Sequence, residues 1–221
     1  MSGRQCSLDL RRTDVEQGAP DSAAPRRKRG QQLYKDLAAS AVWGLVAAGH
    51  LSLVIKGKDY LDIGLFVFYM LVACFMVIRQ PPRRTCAWWE NALAWVSVSL
   101  PMVGMRPIEG GWLVPGLAIQ SVGLIGLILG LVSLGRSFGI APADRGLVTT
   151  GLYRYVRHPL YATELCFNSG YLAANPSWRN LVVLGLMLAT QVIRILREER
   201  ILIDYASYAS RIRWRLVPGI W

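Results

Sequence analysis

Six apolar segments, at roughly 37–55, 61–78, 87–104, 111–134, 160–175 and 178–196, are separated by short stretches that hold most of the chain's positive charge. The first four approach the ~20 residues that a helix rising 1.5 Å per residue needs to cross about 30 Å of hydrocarbon. The last two are shorter and flank Asn175-Pro176-Ser177, a turn signal that predicts a helical hairpin. A backbone in lipid has no water to bond to, so such segments must close their hydrogen bonds internally. The expected fold class is all-α: a polytopic membrane helix bundle of about six transmembrane segments, the last two a short hairpin, with both termini cytoplasmic.

The charges set the orientation. With the N-terminus inside, 21 of the 25 Lys and Arg fall on the inner face, and only Lys56, Lys58, Arg106 and Arg179 fall outside. This is the asymmetry of the positive-inside bias. The net charge of +11 is therefore read as membrane topology, not nucleic-acid binding, because the basic residues lie between apolar runs in a chain that is 53% hydrophobic. Cys6, Cys74, Cys86 and Cys166 form no C-x-x-C pair, and two lie in apolar runs; they read as small buried hydrophobes, with no metal site or disulfide expected. Residues 1–36 are polar, basic and rich in Ala, Pro, Gly and Ser, which predicts a disordered cytoplasmic tail. Residues 37–134 form the N-terminal transmembrane helices. Gly116, Gly123, Gly126 and Gly130 in segment 111–134 make a face for close packing, either within the monomer or between the copies of a homodimer.

One cluster is costly to place without a purpose. Gly151-Leu-Tyr-Arg-Tyr-Val-Arg-His-Pro-Leu-Tyr161 stands at the start of an apolar run, and Glu198-Glu199 follow some forty residues later. Charged and aromatic groups bracketing membrane segments mark a site for a polar cofactor at the bilayer surface. The hairpin continues the pattern. Tyr161, Glu164, Asn168, Tyr171 and Asn175 share one helical face, and Gln191, Arg194, Glu198 and Tyr205 share another. Two facing polar stripes describe a cavity wall, although mutual hydrogen bonds between helices would use the same residues. His50, Gln120 and the Glu90-Asn91 pair read as interfacial groups.

The segment from Leu134 to Trp221, about 40% of the chain, resembles the isoprenylcysteine carboxyl methyltransferase and phospholipid methyltransferase superfamily of membrane enzymes. The residues carrying the resemblance are Leu134-Gly-Arg-Ser-Phe-Gly139, Leu147-Val-Thr-Thr-Gly-Leu-Tyr153, Val156-Arg-His-Pro-Leu-Tyr161, Arg194-Ile-Leu-Arg-Glu-Glu199 and a tail with Tyr205, Tyr208 and Val217-Pro218. It implies that 135–221 is a methyltransferase core with a cofactor loop, the hairpin and a C-terminal cytoplasmic helix. It further implies S-adenosylmethionine as cofactor, held at the cytoplasmic face by Tyr153, Arg157, His158, Pro159, Tyr161, Glu198 and Glu199. The carboxylates complement the donor's positive centres, and Arg157 or Arg194 suits its carboxylate.

A lipophilic acceptor would enter from the membrane and meet Asn168, Arg197 and Tyr205. Glu164 would act as a base or counter a substrate cation; Arg194 and Arg197 would instead grip an acceptor carboxylate. Prenylcysteine-like carboxylates, phospholipid amines and other lipids all remain open as acceptors. The superfamily pattern has Gly where Thr163 stands, so a side chain there would narrow the pocket or add a hydrogen bond. Two other readings compete. Membrane sterol reductases that use NADPH have a similar Arg-His-x-Asn-Tyr-x-Gly-Asp motif, but Leu160 and Thr163 depart from it. A small transporter would explain intramembrane Glu and Asn, but predicts an internal repeat that is not visible.

Overall fold

The computed structural model describes residues 26–57 and 60–221. Seven helices run in chain order: α1 (Arg26–Ile55), α2 (Tyr60–Ile78), α3 (Trp88–Gly104), α4 (Leu113–Leu134), α5 (Pro159–Ala174), α6 (Trp178–Ile201) and α7 (Tyr205–Arg211). The strand content is one two-residue pair, β1 (Arg84–Thr85) antiparallel to β2 (Ala143–Asp144), with Arg84 opposite Asp144. Four helical stretches are long and apolar enough to cross a membrane: Gln32–Ile55, Tyr60–Ile78, Leu113–Ser137 and Trp178–Ile201. The chain is thus an all-α membrane bundle. Helices α3 and α5, with 17 and 16 residues, are shorter than those four.

The first helix starts well before the predicted boundary at residue 37. Its opening turns are rich in Arg, Lys and Gln, which extend helices readily. Asp36 then anchors them by accepting from Gln32 one turn earlier and from Arg79 at the end of α2. Residues 26–36 are therefore helical and not part of a disordered tail; residues 1–25, and Lys58 of the charge count, lie outside the described residues.

Contacts at the two ends show how the helices run. At one end Asp36 meets Arg79, Arg136 donates to the Ile78 carbonyl, Leu160 packs at Gly130, and Arg197 reaches Glu90. At the other, the Trp112 amide donates to Ala173, Arg179 donates to the Gly104 carbonyl, and Asn180 is bonded to both the amide and the carbonyl of Arg106. Helices α1 to α6 therefore alternate in direction between the same two ends, and α5 lies along α4 from the level of Gly130 to that of Gly111. The β1–β2 pair and α7 belong to the first, more basic end.

Burial is inverted relative to a water-soluble protein. Leu45, Val114, Val122, Ile125 and Leu181 point outward, while Ser97, Gln120, Asn168, Asn180, Gln191 and Arg194 are buried. Lipid accepts apolar side chains, and polar ones must find partners inside. Cys74 is exposed and Cys86 and Cys166 are half-buried, so these three are not the buried residues expected. The apolar run containing Cys74 faces outward there, where lipid replaces protein packing.

The glycine face of α4 is used within the chain. A Cβ at Gly123 would lie 2.5 Å from the Phe167 backbone nitrogen, and one at Gly116 would lie 2.7 Å from that of Ala174. These glycines are covered by α5 and are not free for a second copy, so a homodimer loses that support. Gly126 meets Thr163, whose methyl would lie 2.3 Å from an added Cβ. Thr163 thus points at α4 and bonds back to the Pro159 and Leu160 carbonyls; it does not narrow the cavity. The small residue missing from α5 is supplied by α4 opposite.

This packing yields a test. Gly123→Ala should destabilise by about 1–3 kcal/mol, the usual cost of overpacking against an immovable backbone. Gly185→Ala, with nothing within 4 Å, should be neutral or slightly stabilising through helix propensity. Thermal unfolding of both in one detergent checks the pair; equal effects would contradict the α4–α5 contact.

Candidate active site

Two cavities meet at the basic end of the bundle. The larger, about 480 Å³, is lined at this end by Tyr153, His158 and Glu198 and reaches His50, Asp62 and Met102 near the other. Its middle wall is apolar, with Leu65, Phe68, Val72, Val98, Leu127 and Phe167. Such a volume suits a drug-sized or lipid-like ligand. The smaller, about 40 Å³, lies between the β2 turn, the 151–158 segment and α7, lined by Arg145, Arg157 and Tyr205 among others. Tyr153, His158 and Glu198 line both, so they form the wall between them.

The sequence positions these groups through backbone chemistry. Gly151 takes φ +60°, a conformation glycine reaches without a Cβ penalty, and opens the 3-10 turn Gly151–Arg154 that carries Tyr153 inward. A Cβ there would also lie 2.3 Å from the Ser133 hydroxyl. His158 precedes α5, whose first residue is Pro159, the position where a missing N–H costs nothing. The amides of Arg157 and His158 donate to the carbonyls of Trp214 and Arg215, each at 2.9 Å, so the C-terminal segment is laid against the start of α5.

The two adjacent glutamates do different things. Glu199 Oε1 accepts from Tyr205 at 2.7 Å, Arg215 Nε at 2.9 Å, His158 Nε2 at 3.3 Å and Arg157 at 3.4 Å, while Oε2 accepts from Arg215 at 3.1 Å. It is a fully engaged anchor. Burial, and then the hydrogen bond to this carboxylate, push the Tyr205 hydroxyl well above its ordinary pKa, which keeps it a neutral donor. Arg215's own hydrogen bonds to Glu199 raise its pKa, so it stays charged. Among the described residues Glu198 accepts only from Tyr161, at 3.1 Å, with His158 Nδ1 at 3.9 Å, and its side chain is 30% exposed against 11% for Glu199. Glu198 is the carboxylate that faces both cavities.

Most of the expected residues converge. Tyr161, Glu164, Asn168 and Tyr171 line the large cavity with Arg194. Glu164 accepts from Gln191 at 2.9 Å; Asn168 bonds back to the Glu164 carbonyl. Arg194 donates to the Ile140 carbonyl at 2.8 Å, approaches Ser97 at 3.4 Å, and lies 4.8 Å over the Tyr161 ring. Asn175 turns away and caps the hairpin through the Ile108 amide. Tyr205 lines the smaller cavity, not the larger one in which an acceptor contact was expected. Arg197 is not in the site: it pairs with Glu90 at 3.4 Å, stacks 4.9 Å from Trp89, and lines neither cavity. Residue 197 falls one helical turn from 194 but on the side facing α3, where an aromatic and a carboxylate hold it.

Several residues at or beside the site were not legible as such. Arg215 sits in a terminal stretch where charge alone gives no hint of its bidentate grip on Glu199. Arg145, in a Pro-Ala-Asp-Arg-Gly turn, enters the sequence reading only as one of the inner-face basic residues. His50, read as interfacial, bonds Asp62 at 2.8 Å, stacks on Tyr69 and closes the far end of the large cavity.

Fold and site together define an integral membrane helix bundle with a long apolar cavity whose basic end is walled by tyrosine, histidine and carboxylate. Residues 113–207 match the phospholipid methyltransferase family, a match consistent with the isoprenylcysteine carboxyl methyltransferase and phospholipid methyltransferase superfamily of membrane methyltransferases. The match begins at the start of α4, farther back than the motifs alone, and stops short of Tyr208. No curated protein matches the chain.

The anchor role of Glu199 is testable without any ligand. Glu199→Gln leaves Arg157 and Arg215 without their charged partner; hydrogen bonds to charged groups contribute about 1.5–3 kcal/mol each. Tryptic cleavage at Arg211, Arg213 and Arg215 should therefore speed up by roughly tenfold or more, since it follows the population of the detached segment. Unchanged cleavage would show that the segment is held by other contacts.

Proposed function

We propose that this protein transfers a methyl group from S-adenosylmethionine to a lipophilic acceptor at the cytoplasmic face of the membrane. The observation that carries the reading is the junction at Tyr153, His158 and Glu198, where a small cavity with Arg145 and Arg157 in its lining meets the basic end of a long, mostly apolar one. A water-soluble donor and a lipid acceptor need such a junction, one reached from the basic end and the other from the membrane. The positive-inside bias supports a cytoplasmic position for the basic end, where Arg79, Arg136, Arg157 and Arg215 gather.

The residues fit the proposed cofactor. S-adenosylmethionine, when bound, supplies an electrophilic methyl on a sulfonium, along with an ammonium, a carboxylate and ribose hydroxyls. Glu198 offers its carboxylate to a positive centre, and buried guanidinium nitrogens of Arg145 and Arg157 have no hydrogen-bond partner. Tyr153 and Tyr161 add rings that favour a cation at their faces. The acceptor's lone pair would form the new bond to the methyl carbon as the carbon–sulfur bond breaks, leaving a neutral thioether. Such a displacement asks mainly for alignment and a dry site. The apolar middle of the large cavity supplies the dryness, and Asn168 and Tyr171 line the path along which an acceptor would lie.

Glu164 and Arg194 act on the acceptor in this reading. Glu164 is held by Gln191 alone and faces the cavity, placed to take a proton from an ammonium acceptor or to stand opposite a fixed cation. Arg194 is placed to hold a carboxylate acceptor, although its bond to Ile140 already uses part of its fork. The choice among prenylcysteine-like carboxylates, phospholipid amines and other lipids rests on which of the two is used.

Binding to purified protein tests the donor. The expected result is saturable binding of S-adenosylmethionine, weakened roughly tenfold by Glu198→Gln through loss of a charge-assisted contact; tight binding of NADPH instead would overturn the reading in favour of a reductase. Glu164→Gln should lower turnover by ~100-fold, the lower range for loss of a general base, while leaving donor affinity within about threefold. An unaltered rate would return Glu164 to a structural role.

A further inference from the structure

Three arginines stand near the two cavities, and two of them are occupied. Arg157 bonds Glu199 and the Arg213 carbonyl; Arg194 bonds the Ile140 carbonyl and lies over Tyr161. Arg145 is different. It is 6% exposed, and its guanidinium makes no hydrogen bond or ion pair with the described residues; the buried Nε lacks a partner in all three arginines, but only in Arg145 do the terminal nitrogens lack one as well. A buried cation left this way is costly unless something else completes it.

The fold holds Arg145 in place by its backbone. Asp144 is bridged to Arg84 in the β1–β2 pair, its carbonyl accepts the Arg83 amide at 2.7 Å, and its side chain accepts the Gly146 amide at 2.9 Å. Gly139 then lets the guanidinium lie flat on the chain: a Cβ there would sit 2.4 Å from Nη1 and 2.9 Å from Cζ. Arg145 and Glu198 both line the smaller cavity, and about 40 Å³ is room for a small charged group such as an amino-acid end, not a nucleoside. Burial, and then the nearby Arg79, lower the Arg145 pKa to about 10, so it is still charged at neutral pH.

Resting on the donor reading above, we infer that Arg145 binds the carboxylate of the methyl donor's amino-acid end, with Glu198 across the same small cavity taking the ammonium. The pair forms a zwitterion clamp at the basic end. It assigns the carboxylate to a residue in the β2 turn, leaving Arg157 to the Glu199 anchor and Arg194 to the acceptor side.

The experiment compares equilibrium binding of S-adenosylmethionine and its decarboxylated analogue to the purified full chain. Wild type should prefer the carboxylated donor by roughly tenfold or more, the range of a charge-assisted contact. Arg145→Gln should bring that ratio close to one by weakening the carboxylated donor only, and Arg145→Lys should keep part of it. Without donor, Arg145→Gln should melt at or above the wild-type temperature, because no protein partner is lost. Gly139→Ala, which displaces the guanidinium, gives an independent reading of the same ratio. A wild-type ratio retained in Arg145→Gln, or a clear fall in its donor-free melting temperature, overturns the assignment while the donor reading stands. No binding of either donor by wild type overturns the donor reading itself.

Discussion

The site depends on one saturated carboxylate. Glu199 gathers Arg157, His158, Tyr205 and Arg215 around its two oxygens. Those four come from the loop before α5, the α5 entry, α7 and the C-terminal segment, which meet at this carboxylate. Without a central anion, the guanidinium groups of Arg157 and Arg215 would repel one another at a low-dielectric boundary. With it, they close the end of the bundle and fix the His158 ring between two glutamates. That fixes what Glu198 can do. Because its neighbour satisfies the basic cluster, Glu198 is left to face the cavities with a single tyrosine as partner.

The second constraint is the close approach of α4 and α5. Glycines at four levels of α4 let the hairpin lie against it, and Thr163 against Gly126 shows that the contact tolerates exchanging which helix carries the small residue. Close packing on that face turns the adjoining face of α5 toward the large cavity, and this is why Tyr161, Glu164, Asn168 and Tyr171 line it. α5 and α6 bring Tyr161, Glu164, Asn168, Arg194 and Glu198 to the cavity wall, α2, α3 and α4 bring mostly apolar side chains, and His50 with Asp62 makes the far end polar again.

Much of this was legible in the sequence. Helical spacing in 160–175 put four polar residues on one face, and the structure puts those four on the cavity wall. The periodicity failed where a helix ended: Asn175 shares the spacing but lies past the last turn, so it caps the hairpin. It failed again at Arg197, because a spacing gives a face without saying which neighbour covers it, and Trp89 and Glu90 claim that side chain. The α1 start was missed because hydropathy marks where a membrane segment begins, whereas the helix begins earlier among Arg and Gln that lipid does not require. Arg145 and Arg215 had no periodic signal at all. Their roles come from loops brought together by the β1–β2 pair and by the backbone bonds between 157–158 and 214–215.

The proposed transfer of a methyl group from a soluble donor to a lipid at this junction is tested most directly by following the methyl group itself. The protein, reconstituted with total lipid extract of its host, would be given S-adenosylmethionine labelled in the methyl group, and the organic phase counted. The account predicts label in a lipid-soluble product, matched by formation of the demethylated thioether and largely lost in Glu198→Gln. Label that stays in the aqueous phase while the donor binds, with no methylated lipid formed from any host extract, would contradict it.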